Sequence, residues 1–159
     1  MKQKVSNLKI IYSKTIKVVG VTFGSHPKNI QKIIANGLDY KLVKRYSGLK
    51  DKQLLKEQTD MKEFNYECLG DVILKPYKYN SEDAISVYIN DFDDNYLEVG
   101  HIPKKEVSSL IPLFNHEMII EAFLTGGNLK SILHSEKKDK IETEKLNIGI
   151  SLDIIVKEK

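Results

Sequence analysis

Asp83-Ala84-Ile85-Ser86-Val87-Tyr88-Ile89 and, after a polar turn, Val99-Gly100-His101-Ile102-Pro103-Lys104-Lys105-Glu106-Val107 decide how the chain reads. In the first run Ile85, Val87 and Ile89 alternate with other residues, the period of a strand with one buried face. Residues 90–95 hold two Asn and three Asp. Such side chains bond to their own backbone and suit a hairpin loop. Residues 96–102 return as a second strand. Gly100 inside it predicts a bulge, a bend or a neighbour that leaves no room for a side chain. Pro103 ends the strand and suits the first position of a helix. Val107, Leu110, Ile111 and Phe114 then share one helical face, with Pro112 in or after the last turn. The centre of the chain reads strand, hairpin, strand, short helix.

Working outward, residues 9–23 are rich in β-branched side chains: Ile10, Ile11, Thr15, Ile16, Val18, Val19, Val21 and Thr22. They predict one long strand, or two with a bend near Ser13-Lys14. Gly20 marks a bulge or a barrel corner. Ser25-His26-Pro27 opens a helix that buries Ile30, Ile33 and Ile34 and ends at Asn36-Gly37, with Gly37 as a left-handed cap. Residues 38–69 read as a charged insertion with a helix over 49–58. Gly70-Asp71 is a turn, Val72-Ile73-Leu74 a buried strand, and 75–82 a loop with two tyrosines and two lysines. Residues 117–124 make another strand, and Thr125-Gly126-Gly127 a turn. Residues 128–145 read as a mobile polar loop around Glu136-Lys137-Lys138-Asp139-Lys140. A closing strand follows, with Ile148, Ile150, Leu152 and Ile154 on one face. The expected fold is a single domain over residues 1–159, mainly β with short helices (α+β). It is a small, OB-like, partly open barrel of six or seven strands and two or three helices, carrying the charged helical insertion.

Composition narrows the function. With 159 residues, 41% hydrophobic and 30% charged, the chain fits one soluble domain with its own core. No run approaches the ~18–20 apolar residues of a membrane span, and residues 1–6 carry no export signal. The expected location is therefore the cytoplasm, with no membrane partner. The single Cys68 agrees with a reducing compartment and reads as a small buried hydrophobe. One Cys and four scattered His have no zinc-ligand spacing, so neither a metal nor any cofactor is expected. The net charge is +3, and Arg45 is the single Arg among 25 basic residues. Lysines act on phosphates as point charges, which favours backbone contact over base reading. No P-loop, nucleophile elbow or metal cluster points to an enzyme. Asp91, Asp93 and Asp94 read as loop solvation.

The order of these pieces resembles the HIRAN domain, in its stand-alone bacterial or phage form. The matching residues are Val18-Val19-Gly20-Val21-Thr22-Phe23, Gly70-Asp71, Asp83-Ala84-Ile85-Ser86-Val87, Val99-Gly100-His101-Ile102-Pro103-Lys104 and Asn147-Ile148-Gly149-Ile150. The resemblance covers about residues 15–37 and 70–156. The resemblance implies a modified OB-type barrel and binding of single-stranded DNA or DNA 3′ ends. Aromatic residues would stack on the terminal base, polar groups hold the end hydroxyl and basic residues hold phosphates. It also implies a link to DNA repair and to a helicase, nuclease or other protein partner.

Carried over by position, Phe23 is the stacking aromatic, His101 lines the groove and Lys104 contacts phosphate. Lys105 lies beside it at the helix start, where free N–H groups favour an anion. Tyr77 and Tyr79 supply aromatic faces. Asn80 stands at the family's loop Tyr position and Ser81 at its Asp position, with Glu82 or Asp83 as a nearby acid. Each has a plainer reading: Phe23 as core, the tyrosines as turn packing, His101 as a satisfied core residue, Asp83 as a backbone holder. Thr22 stands where end-binding members carry Arg. Thr22 and Ser81 favour a rival from another class, a protein-interaction adaptor that kept the barrel and lost the groove chemistry. One observation separates them. A groove shared by Phe23, a loop tyrosine and Lys104 favours binding; a groove filled by residues 38–69 favours the adaptor.

Overall fold

The computed structural model describes residues 8–158; the reading of residues 1–6 as free of an export signal lies outside them. The strands are β1 (Ile10–Lys17), β2 (Met61–Cys68), β3 (Val72–Tyr79), β4 (Glu82–Asn90), β5 (Tyr96–His101), β6 (Glu117–Leu133), β7 (Lys140–Glu144) and β8 (Ile148–Lys157). The helices are α1 (His26–Asp39), α2 (Asp51–Glu57) and α3 (Lys104–Leu110). One sheet runs β1-β8-β6-β2, with β7 beside the far end of β6, and a second runs β3-β4-β5. All pairs are antiparallel.

The sheets meet where the chain leaves β1. Val18 N–H donates to the Ile150 carbonyl at 2.9 Å, still on the β8 side. One residue later, Val19 and His101 exchange both backbone bonds at 2.9 Å. The chain thus passes from β8 to β5 and curls the two sheets into a partly open barrel. This crossing explains Gly100. A Cβ there would stand 2.5 Å from the Val19 carbonyl and 2.6 Å from Val18 Cγ1, so only glycine lets β5 come this close.

The core is built by period-two strands facing inward. β8 buries Ile150, Leu152, Ile154 and Val156, and β4 buries Ile85, Val87 and Ile89. Ile30, Ile33 and Ile34 of α1 and Val107 and Leu110 of α3 close over them. Each such side chain is worth about 1.5–3 kcal/mol of burial, so α1 and α3 are held to the sheets by their apolar faces rather than by caps. The Ser25 side chain makes no capping bond to α1.

The mainly β, part-barrel class agrees with the sequence reading; several element assignments differ. Residues 75–82 are not a loop: β3 runs to Tyr79, and Asn80-Ser81 alone make the turn into β4. Both have positive φ, 50° and 67°, the geometry of a two-residue hairpin turn, which Asn tolerates. Pro76 fits because β3 is an edge strand. Thr125-Gly126-Gly127 is not a turn either. β6 runs through it, and Gly126 and Gly127 take φ of 82° and 80° where its register with β2 slips. They form a bulge inside a 17-residue strand. Residues 128–133 and 140–144 are therefore paired strands, not loop, which brings the count among the described residues to eight strands. Gly37 is no cap. The helix continues to Asp39, and a Cβ on Gly37 would lie 2.6 Å from Val43 Cγ2, so it is a close-packing glycine. Cys68 is exposed, not buried.

Residues 38–69 carry the helix α2 within the expected span, but they are no appendage. β2 is a strand of the main sheet and buries Phe64, while Val43, Tyr46 and Leu54 are also buried. Among the described residues no helix is long and apolar enough to cross a membrane.

Candidate functional site

The N–H of Phe23 donates to the Gly20 carbonyl, and the N–H of His26 donates to the Phe23 carbonyl. This tight corner between Val19 and α1 holds the Phe23 side chain outward at 77% exposure. The core reading of Phe23 therefore does not hold: the chain turns away from the sheet before Phe23 can enter the barrel.

Tyr77 and Tyr79 leave β3 on one face by the two-residue period. Their partners across the hairpin are Ala84 and Glu82, so this face is opposite to that of buried Ile85. Tyr79 is 64% exposed and Tyr77 is 38% exposed. Tyr77 is braced by the His101 ring, with centroids 6.1 Å apart. Farther along the same face, Lys75 Nζ lies 4.3 Å over the Tyr88 ring. Burial, and then the Glu98 carboxylate, pushes the Tyr88 phenol above its ordinary value.

These pieces converge on one open cleft of about 440 Å³. Phe23, Tyr77, Tyr79, Asp83, His101 and Lys104 all line it, joined by Glu82, Ala84, Ile102 and Val107. Six of the eight residues singled out in the sequence thus meet, and no residue of 38–69 lines the cleft. The other two lie apart. Asn80 is consumed by the hairpin turn, and Lys105 is exposed on α3 outside the lining. The helix start adds little, because α3 has only seven residues. Thr22 lines a different cleft of about 430 Å³, beside the Arg45–Glu63 ion pair.

The charges of the cleft are paired. Lys104 Nζ is 3.0 Å from Glu82 Oε2, and Lys78 Nζ is 2.7 Å from Asp83 Oδ1. Both pairs are largely exposed, so each is worth little and rearranges readily. Glu82, one of the two candidate acids of this loop, is the one that meets Lys104, and it stands directly across the turn from Tyr79.

The loop after β4 is built differently. Asp91 is fully buried, so loop solvation does not describe it. Its carboxylate accepts from the N–H groups of Asp93 (2.9 Å) and Asn95 (3.1 Å) and from Asn95 Nδ2 (3.2 Å), while its carbonyl accepts from Asn36 of α1. Burial raises this carboxyl's pKa, yet the bonds from Asp93 and Asn95, helped by Lys32, together hold it below the ordinary value of 3.8.

Histidines that are far apart in sequence also meet. His26 and His101 pack edge to face with centroids 5.4 Å apart, and Glu98 approaches both. Spacing along the chain gave no sign of this grouping.

No family model, curated protein or solved structure matches this chain. The cleft must therefore be read from its own chemistry.

Proposed function

We propose that the chain is a HIRAN-type nucleic-acid-binding module that takes single-stranded DNA or DNA 3′ ends in this cleft, without catalysis. The observation that carries the reading is the convergence of three exposed aromatic rings, Phe23, Tyr77 and Tyr79, on one open cleft with Lys104 at its edge. An exposed phenylalanine in a hydrogen-bonded corner has no packing role, and a π-face suits an unstacked base. Each stacked base contributes about 1–3 kcal/mol. Duplex DNA keeps its bases stacked on one another, so the cleft favours single strands.

Charge plays the smaller part. The lining holds Lys104 against Glu82 and Asp83, so a strand must displace Glu82 from Lys104. Binding should fall with salt at a slope near −1 to −2, as expected for two or so phosphate contacts at about −0.7 each.

The same ion pairs favour a second reading, a protein-interaction adaptor that docks a peptide on the aromatic face. Competition by fluorescence anisotropy separates the two. A short labelled single strand is displaced by unlabelled single strand and by duplex, in versions with a free 3′-hydroxyl or a 3′-phosphate. Preference for single strand supports the binding module, and its loss with a 3′-phosphate assigns end recognition. Equal affinity for duplex counts against the proposal, and no binding at low salt moves the reading to the adaptor.

A further inference from the structure

His26 begins α1, and Glu98 and His101 lie on β5. Glu98 Oε2 stands 3.5 Å from His26 Nε2 and 3.5 Å from His101 Nε2. One donor atom from each residue lies within 4.8 Å of the others. A hydrogen bond between such groups is shorter, about 2.7–3.2 Å. By contrast, metal–ligand bonds of about 2.0–2.2 Å separate the donors of a tetrahedral ion by roughly 3.3–3.5 Å.

The tautomer of His26 sharpens the point. Its Nδ1 lies 2.7 Å from the Gly20 carbonyl. A carbonyl only accepts, so Nδ1 carries the proton. In its neutral form the ring turns the lone pair of Nε2 toward a carboxylate oxygen. Two lone pairs face each other in a place where the His26 side chain is 91% buried (9% exposed), and something positive belongs between them. A backbone acceptor on the far nitrogen is also how metal-binding histidines are held in orientation. His101 and Glu98 each keep 32% exposure, which leaves an ion a way in.

We propose that His26, Glu98 and His101 form a binding site for a first-row divalent cation of the zinc type, with a fourth position left for water or another oxygen ligand. Two imidazoles and one carboxylate form a donor set that suits zinc and its neighbours and not magnesium or calcium. The ion has a structural effect that needs no nucleic acid. It ties the start of α1 to β5, and so clamps the corner, held at both ends by Gly20 and His26, from which Phe23 projects. His101 belongs to both the metal site and the cleft lining, so the ion adjoins the cleft.

The test is a titration of the chelator-stripped chain with Co²⁺ and then Zn²⁺, in the absence of nucleic acid. Visible absorption of bound cobalt and calorimetry give geometry and stoichiometry. The expected result is one Co²⁺ per chain with the spectrum of a nitrogen- and oxygen-ligated ion, displaced by Zn²⁺ and not by Mg²⁺. Glu98→Gln and His101→Gln, at partly exposed positions that circular dichroism can confirm as folded, each weaken it by about 100-fold or more, beyond the effect of losing an orienting partner. His134→Gln, at an exposed histidine paired with Asp139, leaves it unchanged. No stoichiometric binding by the folded chain overturns the proposal, as does binding that survives both Glu98→Gln and His101→Gln or that His134→Gln removes. Because no nucleic acid is present, these outcomes stand apart from the fate of the binding-module reading.

Discussion

The three-stranded sheet has two hairpin ends, and they treat their polar residues in opposite ways. At the β4–β5 end, Asp91 turns inward, collects three hydrogen bonds from Asp93 and Asn95, and fastens the loop to α1 through Asn36. At the β3–β4 end, a two-residue turn satisfies the backbone alone, and Tyr77 and Tyr79 stay in solvent beside Phe23. A loop whose polar groups are consumed internally is part of the frame. A hairpin that closes with two residues and keeps large apolar rings exposed has surface to spare for a ligand. The two ends belong to one sheet and share β4, so the contrast is one of side-chain chemistry within a common frame.

The sharpest way to break this comparison is Asp91→Ala. It removes the buried carboxylate that accepts three hydrogen bonds from Asp93 and Asn95, with an expected cost of about 3 kcal/mol. Chemical denaturation should show this as a lower midpoint, and a folded variant that still binds nucleic acid as the wild type does. The opposite pattern is expected of Phe23→Ala. Binding of a single strand should weaken by about 2 kcal/mol, near thirtyfold, with thermal stability unchanged, because Phe23 buries little. If Phe23→Ala instead destabilises the chain, the exposed ring belongs to the frame and the comparison fails.

Acid titration sharpens the frame side. A carboxyl with a depressed folded value stabilises fully above its ordinary value of 3.8. That stabilisation disappears as pH falls through the lower folded value. The Asp91 contribution should therefore be constant near neutrality and lost only in strong acid. Asp91→Asn should flatten that part of the stability curve in thermal melts at stepped pH. The smallest effect is expected of Lys104→Ala. It frees Glu82 and removes one phosphate partner, so affinity should fall by less than tenfold and the salt slope should shorten by about 0.7.

The strands whose apolar residues alternate cleanly were legible in the sequence, β4 and β8 above all, because period two leaves little else. So were the helix that starts near Pro27 and, among three readings of Gly100, the close neighbour that the structure shows. What stayed hidden came from long-range pairing. β7 and the end of β6 are polar edge segments whose pairing no local pattern announces. The Gly126-Gly127 bulge imitates a turn, because positive φ serves both. Asp91 imitates a solvated loop residue, since burial depends on α1 arriving from elsewhere in the chain. At the site, Phe23, His101 and Lys104 were singled out by the positions the family resemblance gave them, and Tyr77, Tyr79 and Asp83 by residue type in the adjoining loop. Their shared cleft depends on the Val19–His101 bridge, which the sequence does not display. The grouping of His26, Glu98 and His101 depends on the same crossing.

The most direct measurement is an anisotropy titration of a short labelled single strand, at low salt, with the wild-type chain and with the Phe23→Ala/Tyr77→Ala double variant. The account predicts saturable binding by the wild type and at least a roughly thirtyfold loss in the equally stable double variant, as two stacking faces at about 1–3 kcal/mol each require. Absence of wild-type binding, or binding that the double variant retains, would contradict it.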